Sequence, residues 1–197
     1  MKQGFNGFRE NICPRWSIFI VSTLQIIMKA ILLVHCLFPF LSLTKLDKLN
    51  SLEKLLYYRR LGSLLKNASK NSVIFVLTSP VEWEYEKRKL MKLLKKCNGS
   101  CIIIFTHNYE GVPVFSPLRK IIKIKELKVC GAYAGSCVYT ALKWFIKNAK
   151  IEKIYSIKNC LVEKYGKFSN SPIYIYSRLC KENGIEYEEC YYKERFS

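Results

Sequence analysis

The chain has 197 residues, half of them apolar, and a formal net charge of +18. Length and apolar content indicate one domain with a full core and exclude a disordered chain. The lysines are spread over the presumed helices and loops, and no RNA-binding signature, zinc-finger spacing or basic-aromatic stripe accompanies them, so no specific nucleic-acid partner is expected.

From the N-terminus, Trp16 to Leu43 is almost continuously apolar, interrupted by Gln25, Lys29 and His35. Such a run is long enough to span a bilayer, but Lys29 would then sit near the middle, where a charge is costly. Met28-Lys29-Ala30-Ile31-Leu32-Leu33-Val34 reads instead as the start of a buried strand, Lys29 to Cys36. That division makes residues 1–27 an apolar extension and 28–197 the domain. Membrane contact through residues 1–43 is the alternative.

Leu46 to Leu65 has helical apolar spacing, with Thr44 and Asp47 as its capping box. Val73 to Leu77 reads as a strand. A helix from Pro80 to about Cys97 stops at Asn98-Gly99. Cys101 to Thr106 is the next strand, followed by a loop from His107 to Phe115 and a short helix near Pro117. Leu127 to Gly131 is a strand. Beyond it, Val138, Ala141, Leu142, Phe145 and Ile146 form the buried stripe of a helix that Cys137 opens. Lys153 to Ile157 is a strand, Pro172 to Gly184 a helix, and Ile185 to Cys190 a closing strand. Tyr174 and Tyr176, alternating with Ile173 and Ile175, also fit a strand.

Ser79-Pro80, Ser116-Pro117 and Ser171-Pro172 each precede an expected helix. Serine suits the N-cap and proline the first helical position, where no amide donor is needed. Six strands alternating with helices predict an α/β fold: three layers, α/β/α, around a mostly parallel six-stranded, Rossmann-like sheet. Functional groups in such folds gather beyond the carboxyl ends of the strands. His35, His107 and Cys137 fall there, and the chain has only two histidines.

The nine cysteines are odd in number and lack framework spacing, which suits reduced thiols in a cytoplasmic setting. Cys97 and Cys101 flank Asn98-Gly99 at a spacing that allows a metal or a disulfide, but no second Cys or His pair accompanies them. Cys137 differs from the rest. A thiol at a strand-to-helix turn lies beside helix N-terminal amides, which favour the thiolate and can hold an oxyanion.

Leu127-Lys128-Val129-Cys130-Gly131 followed by Cys137-Val138, with Phe115-Ser116 and Leu118 upstream, resembles the isochorismatase-like cysteine hydrolases, the superfamily that includes nicotinamidases. The similarity covers about residues 29–192 and includes the order of the last two units. It implies a small-molecule substrate (an amide, a nicotinamide-like molecule or a vinyl ether), Cys137 as nucleophile, and Ser136 and Cys137 amides around the oxyanion, with Gly135 and Ala134 in the same turn.

The family's aspartate is replaced here by His35, within Val34-His35-Cys36-Leu37-Phe38-Pro39-Phe40. His107 or Thr106 stands nearest the family's lysine, and Ala134 replaces its small polar turn residue. The family's metal-ligand histidines have no counterpart, so neither metal nor cofactor is expected. Two readings follow: a hydrolase in which His107 or His35 is base to Cys137, or a scaffold that has lost hydrolysis and binds a ligand. A membrane-associated protein anchored by its apolar N-terminus is a third. A homo-oligomer, formed through a sheet edge or the helix from Pro80, is a further expectation.

Overall fold

The computed structural model describes residues 26–41, 49–107, 111–114, 122–163 and 173–192. It begins with strand β1 (Ile26–Val34), followed by a 3-10 turn at Phe38–Phe40 and helix α1 (Ser51–Lys66). Next come β2 (Ser72–Thr78), α2 (Pro80–Leu94) and β3 (Ser100–Phe105). The second half contains β4 (Ile122–Ala132), a π-helical turn at Ala134–Val138, α3 (Tyr139–Asn148), β5 (Ala149–Val162), α4 (Ile173–Glu182) and β6 (Glu186–Cys190).

The six strands form one wholly parallel sheet in the order β3-β2-β1-β4-β5-β6, the expected three-layer Rossmann-like architecture. The chain starts in the middle, builds outward through β2 and β3, then returns to the other side of β1 to lay down β4, β5 and β6. β1 and β4 therefore flank the topological switch point, where connections leave in opposite directions and open a crevice at the carboxyl ends.

Ala30, Ile31, Leu32, Leu33 and Val34 are all buried, as a central parallel strand requires. β1 starts at Ile26, three residues before the expected Lys29, and stops at Val34 rather than Cys36. Ile26–Val34 is thus a sheet strand and not part of a membrane-crossing helix. Among the described residues, no helix is long and apolar enough to cross a membrane.

The helix starts follow side-chain chemistry. Asn50 caps α1 in a reciprocal box: its Oδ1 accepts from the Glu53 amide at 2.9 Å, and the Asn50 amide donates to Glu53 Oε2 at 2.9 Å. The helix therefore begins at Ser51 rather than Leu46, and the expected Thr44–Asp47 box lies outside the described residues. Ser79 caps α2 by accepting from the Glu82 amide at 3.1 Å, with Pro80 at the first position. The other two Ser-Pro pairs and the helix near Pro117 also lie outside the described residues. α2 ends at Leu94, short of Cys97.

β4 and β5 are both longer than their apolar runs. Lys123, Lys125 and Lys128 interrupt the pattern of β4, yet only their stems need cover while their ammonium groups reach water. Lys123 pairs with Glu152 on β5 at 2.7 Å. Residues 173–182 are helical, which decides the Tyr174 and Tyr176 ambiguity. On a strand both would share one face, but Tyr176 is buried and Tyr174 is 70% exposed.

Candidate active site

His35 is the first residue after β1 and adopts a left-handed backbone, φ 43°. Its ring is buried and stacks on Phe38 at a centroid distance of 4.1 Å. Nδ1 lies 3.2 Å from Glu82 Oε2, and Nε2 lies 3.4 Å from Thr106 Oγ1. Glu82, buried on the first turn of α2, also accepts from the Leu37 amide at 2.7 Å and from the Thr78 hydroxyl at 2.9 Å. Thr106 Oγ1 lies 3.4 Å from the Thr78 carbonyl oxygen.

This polar cluster fastens the carboxyl ends of β1, β2 and β3 to the start of α2. A buried carboxylate with three donors is well satisfied. Both imidazole nitrogens are engaged within the cluster. That differs from the expectation that His35 is free to act as base to Cys137, because its ring is held by groups from the β2 and β3 side of the switch.

Glu82 was not singled out by the sequence. The nearest signal is its place three residues after the N-cap Ser79, where a glutamate ordinarily reaches back to the cap amide. Here the carboxylate turns inward to His35 instead.

On the other side of the switch, β4 closes on β1 at Gly131, paired with Val34. The peptide between Ala132 and Tyr133 is cis, and the π-helical turn follows. The Ser136 and Val138 amides both donate to the Tyr133 carbonyl at 3.1 Å. The Ser136 amide, expected as an oxyanion donor, is therefore used inside the turn. The Gly135 amide faces Glu163 Oε2 at 3.4 Å, a carboxylate at the end of β5 that the sequence did not mark.

Ala134 is buried, and its carbonyl accepts from Tyr176 Oη at 2.6 Å. Burial first, and then the charge of Glu163, pushes the Tyr176 phenol well above its ordinary range, so it stays protonated and able to donate. Tyr176→Phe is expected to cost about 1 kcal/mol in urea denaturation. An unchanged midpoint would mean that the turn does not depend on this bond.

Cys137 is 6% exposed, and the Ser136 hydroxyl donates to its Sγ at 3.7 Å. Within the turn its position is π-helical, with regular α-helix starting at Tyr139, so the thiol lies two residues before the helix it was expected to open. Cys130 and Cys36 are poor nucleophiles. Burial pushes Cys130 well up, and burial together with the charge of Glu82 does the same to Cys36.

His107 is exposed, at the base of a hairpin that leaves β3. Its amide donates to the Val112 carbonyl at 2.9 Å, and Val114 returns a bond to Phe105 at 2.8 Å. Gly111 reaches the Cys137 turn: a Cβ on it, φ 74°, would lie 2.2 Å from the Cys137 carbonyl oxygen. Residues 111–114 thus join the end of β3 to the thiol's own peptide.

His35, His107 and Cys137 share the carboxyl rim in three environments. His35 is buried in the Glu82 cluster, Cys137 is buried in the π-helical turn, and His107 is exposed. Among the described residues, no group of three or more His, Cys, Asp or Glu side chains is arranged to hold a metal. No protein-family model matches this chain, and no curated protein matches it.

Proposed function

We propose that this chain is a thiol-dependent hydrolase of the isochorismatase-like type, acting on a small amide, a nicotinamide-like molecule or a vinyl ether. The observation that carries the reading is the position of Cys137. Among the described thiols it alone stands in a turn that leads into a helix on the carboxyl rim, beside the β1–β4 switch.

With an amide substrate, the Cys137 thiolate attacks the acyl carbon and the carbonyl π electrons move to oxygen. Collapse of that adduct expels the amine, which takes up a proton, and leaves a thioester. Water then hydrolyses the thioester to the acid and restores the thiol. His107 is the imidazole suited to carry protons in both steps, because it is exposed to solvent and its hairpin ends against Cys137. His35, tied to Glu82 and Thr106, supports the rim as a positioning residue.

A second reading, a ligand-binding domain without hydrolysis, is favoured by the engaged ring of His35 and by the Ser136 amide spent on Tyr133. The two readings separate on one pair of measurements. Timed alkylation with iodoacetamide is expected to modify Cys137 more than about tenfold faster than Cys130 or Cys160. Ammonia release from nicotinamide and simple amides is expected to vanish in Cys137→Ala. Equal alkylation rates would remove the nucleophile. Thermal stabilisation by an amide that survives Cys137→Ala, without ammonia release, would select the binding reading.

A further inference from the structure

We propose that a cavity towards the amino ends of β1, β2 and β4 binds a small carboxylate with an apolar tail. The cavity lies away from the Cys137 rim and stands independently of the hydrolase reading.

Strand register lays the floor. Lys29 on β1 pairs with Ser72 on β2 and with Glu126 on β4, and Ile31 on β1 pairs with Lys128 on β4. Residues in register, and residues two apart on one strand, share a face of the sheet. These five residues therefore face the same cavity, which all of them line. Central parallel strands are ordinarily near-continuous apolar runs. Lys29, Glu126 and Lys128 break that rule, and Lys29 is the residue that makes a bilayer span of the N-terminal run costly.

The end of α1 and the turn after it form the roof, with Leu64, Ala68 and Ser69 lining the space. Tyr192 closes one side, its Oη accepting from Asn67 Nδ2. The cavity volume is about 190 Å³, below the roughly 300–1,000 Å³ of sites that take drug-sized ligands, so the occupant is small.

The lining is one positive charge in excess. Lys29 and Glu126 offset each other at 4.0 Å. Lys128 has no carboxylate partner among the described residues, and the next acid along its row, Glu188 on β6, is held by Lys153 at 3.0 Å. Ser72 is 4% exposed, and its hydroxyl has no hydrogen-bond partner among the described residues. A buried hydroxyl ordinarily has one, and a ligand oxygen supplies it. Ser69 Oγ accepts from the Asn71 amide at 3.2 Å, which leaves its own hydrogen to donate. Two carbonyls at the end of α1, which would oppose an anion, are already occupied. The Ala68 amide donates to the Leu65 carbonyl at 3.2 Å, and Asn98 Nδ2 donates to the Lys66 carbonyl at 2.6 Å.

In this site the ligand carboxylate accepts from Lys128 and the serine hydroxyls, and its tail lies on Ile31, Leu64 and Ala68. A phosphate dianion suits it less, because the Glu126 carboxylate shares the cavity. A neutral amide of the same shape leaves Lys128 unmatched.

The test is titration calorimetry of hexanoate and benzoate into the full-length protein carrying Cys137→Ala, so that no reaction at the rim contributes heat. At least one acid is expected to bind with a Kd below about 1 mM. Hexanamide, benzamide and inorganic phosphate are expected to bind at least about tenfold more weakly than that acid. Adding Lys128→Met is expected to weaken the acid by about tenfold or more, with the fold checked by circular dichroism. Ala68→Leu fills the cavity without changing its charge and is expected to abolish binding. Lys150→Met, at an exposed lysine that does not line the cavity, is expected to change nothing. Absence of binding by both acids would overturn the proposal. So would equal affinity for the amides or for phosphate, or acid binding that survives both Lys128→Met and Ala68→Leu.

Discussion

Gly131→Ala is expected to remove more than about 4 kcal/mol of folding stability, enough to leave a domain of ordinary stability largely unfolded. Gly131 has φ 124°, a conformation that L side chains rarely adopt. A Cβ there would lie 2.0 Å from the Val34 carbonyl oxygen and 2.7 Å from the Val34 amide nitrogen. Both are backbone atoms of the neighbouring strand, so no rotamer change relieves the contact. The strands must part at the switch point, where Val34 leads into His35 and Gly131 into the Cys137 turn. Gly184→Ala provides a contrast, because its φ of 66° is also left-handed but nothing lies within 4 Å of the added atom. Equilibrium urea denaturation of both variants separates backbone preference from collision. If Gly131→Ala lost no more than Gly184→Ala, the close approach of β1 and β4 would be wrong.

Glu82→Ala is expected to cost about 2–6 kcal/mol, because two buried groups, each costing about 1–3 kcal/mol when orphaned, lose their partner. The loss has identifiable parts. The Leu37 amide and the His35 Nδ1 position both lose their partner in a buried setting. Thr78 is less affected, because its hydroxyl can turn to the Ser79 carbonyl 3.4 Å away. His35→Ala is expected to destabilise as well, and the double variant to lose less than the sum, since each single change already removes the contact the two share. Glu82→Gln retains an oxygen for Leu37 and is expected to fall between wild type and Glu82→Ala. Additive losses in the cycle, read from urea midpoints, would mean that the two residues do not act together.

The order and type of the elements were legible because they rest on neighbours in the chain. Apolar runs, helical spacing and Ser79-Pro80 each act within a few residues. Boundaries were less legible where two local signals competed. Asn50 with Glu53 outranked the apolar spacing that pointed to Leu46, since a reciprocal cap satisfies two orphan donors. The lysines of β4 disguised half of that strand, because a long stem can lie on a sheet while its charge remains in water.

The rim was legible in part. That residues 35, 107 and 137 follow strands β1, β3 and β4 comes from element order alone. What each side chain meets there does not. Glu82 reaches His35 across 47 residues, and Gly111 meets the Cys137 carbonyl. Glu163 approaches the Gly135 amide across 28 residues.

The amino-acid sequence by itself determined that strands and helices alternate, that the sheet has six strands, and that one thiol and two imidazoles stand at strand ends. Those features follow from periodicity and capping, which are short-range. Only the tertiary structure decided that β4 returns to the free side of β1, that His35 is bound to Glu82 and Thr106, and that the hairpin after His107 comes to rest on Cys137. Strand order and side-chain partners minimise the free energy of the packed whole, and no local pattern encodes which distant group will occupy the last hydrogen-bonding position.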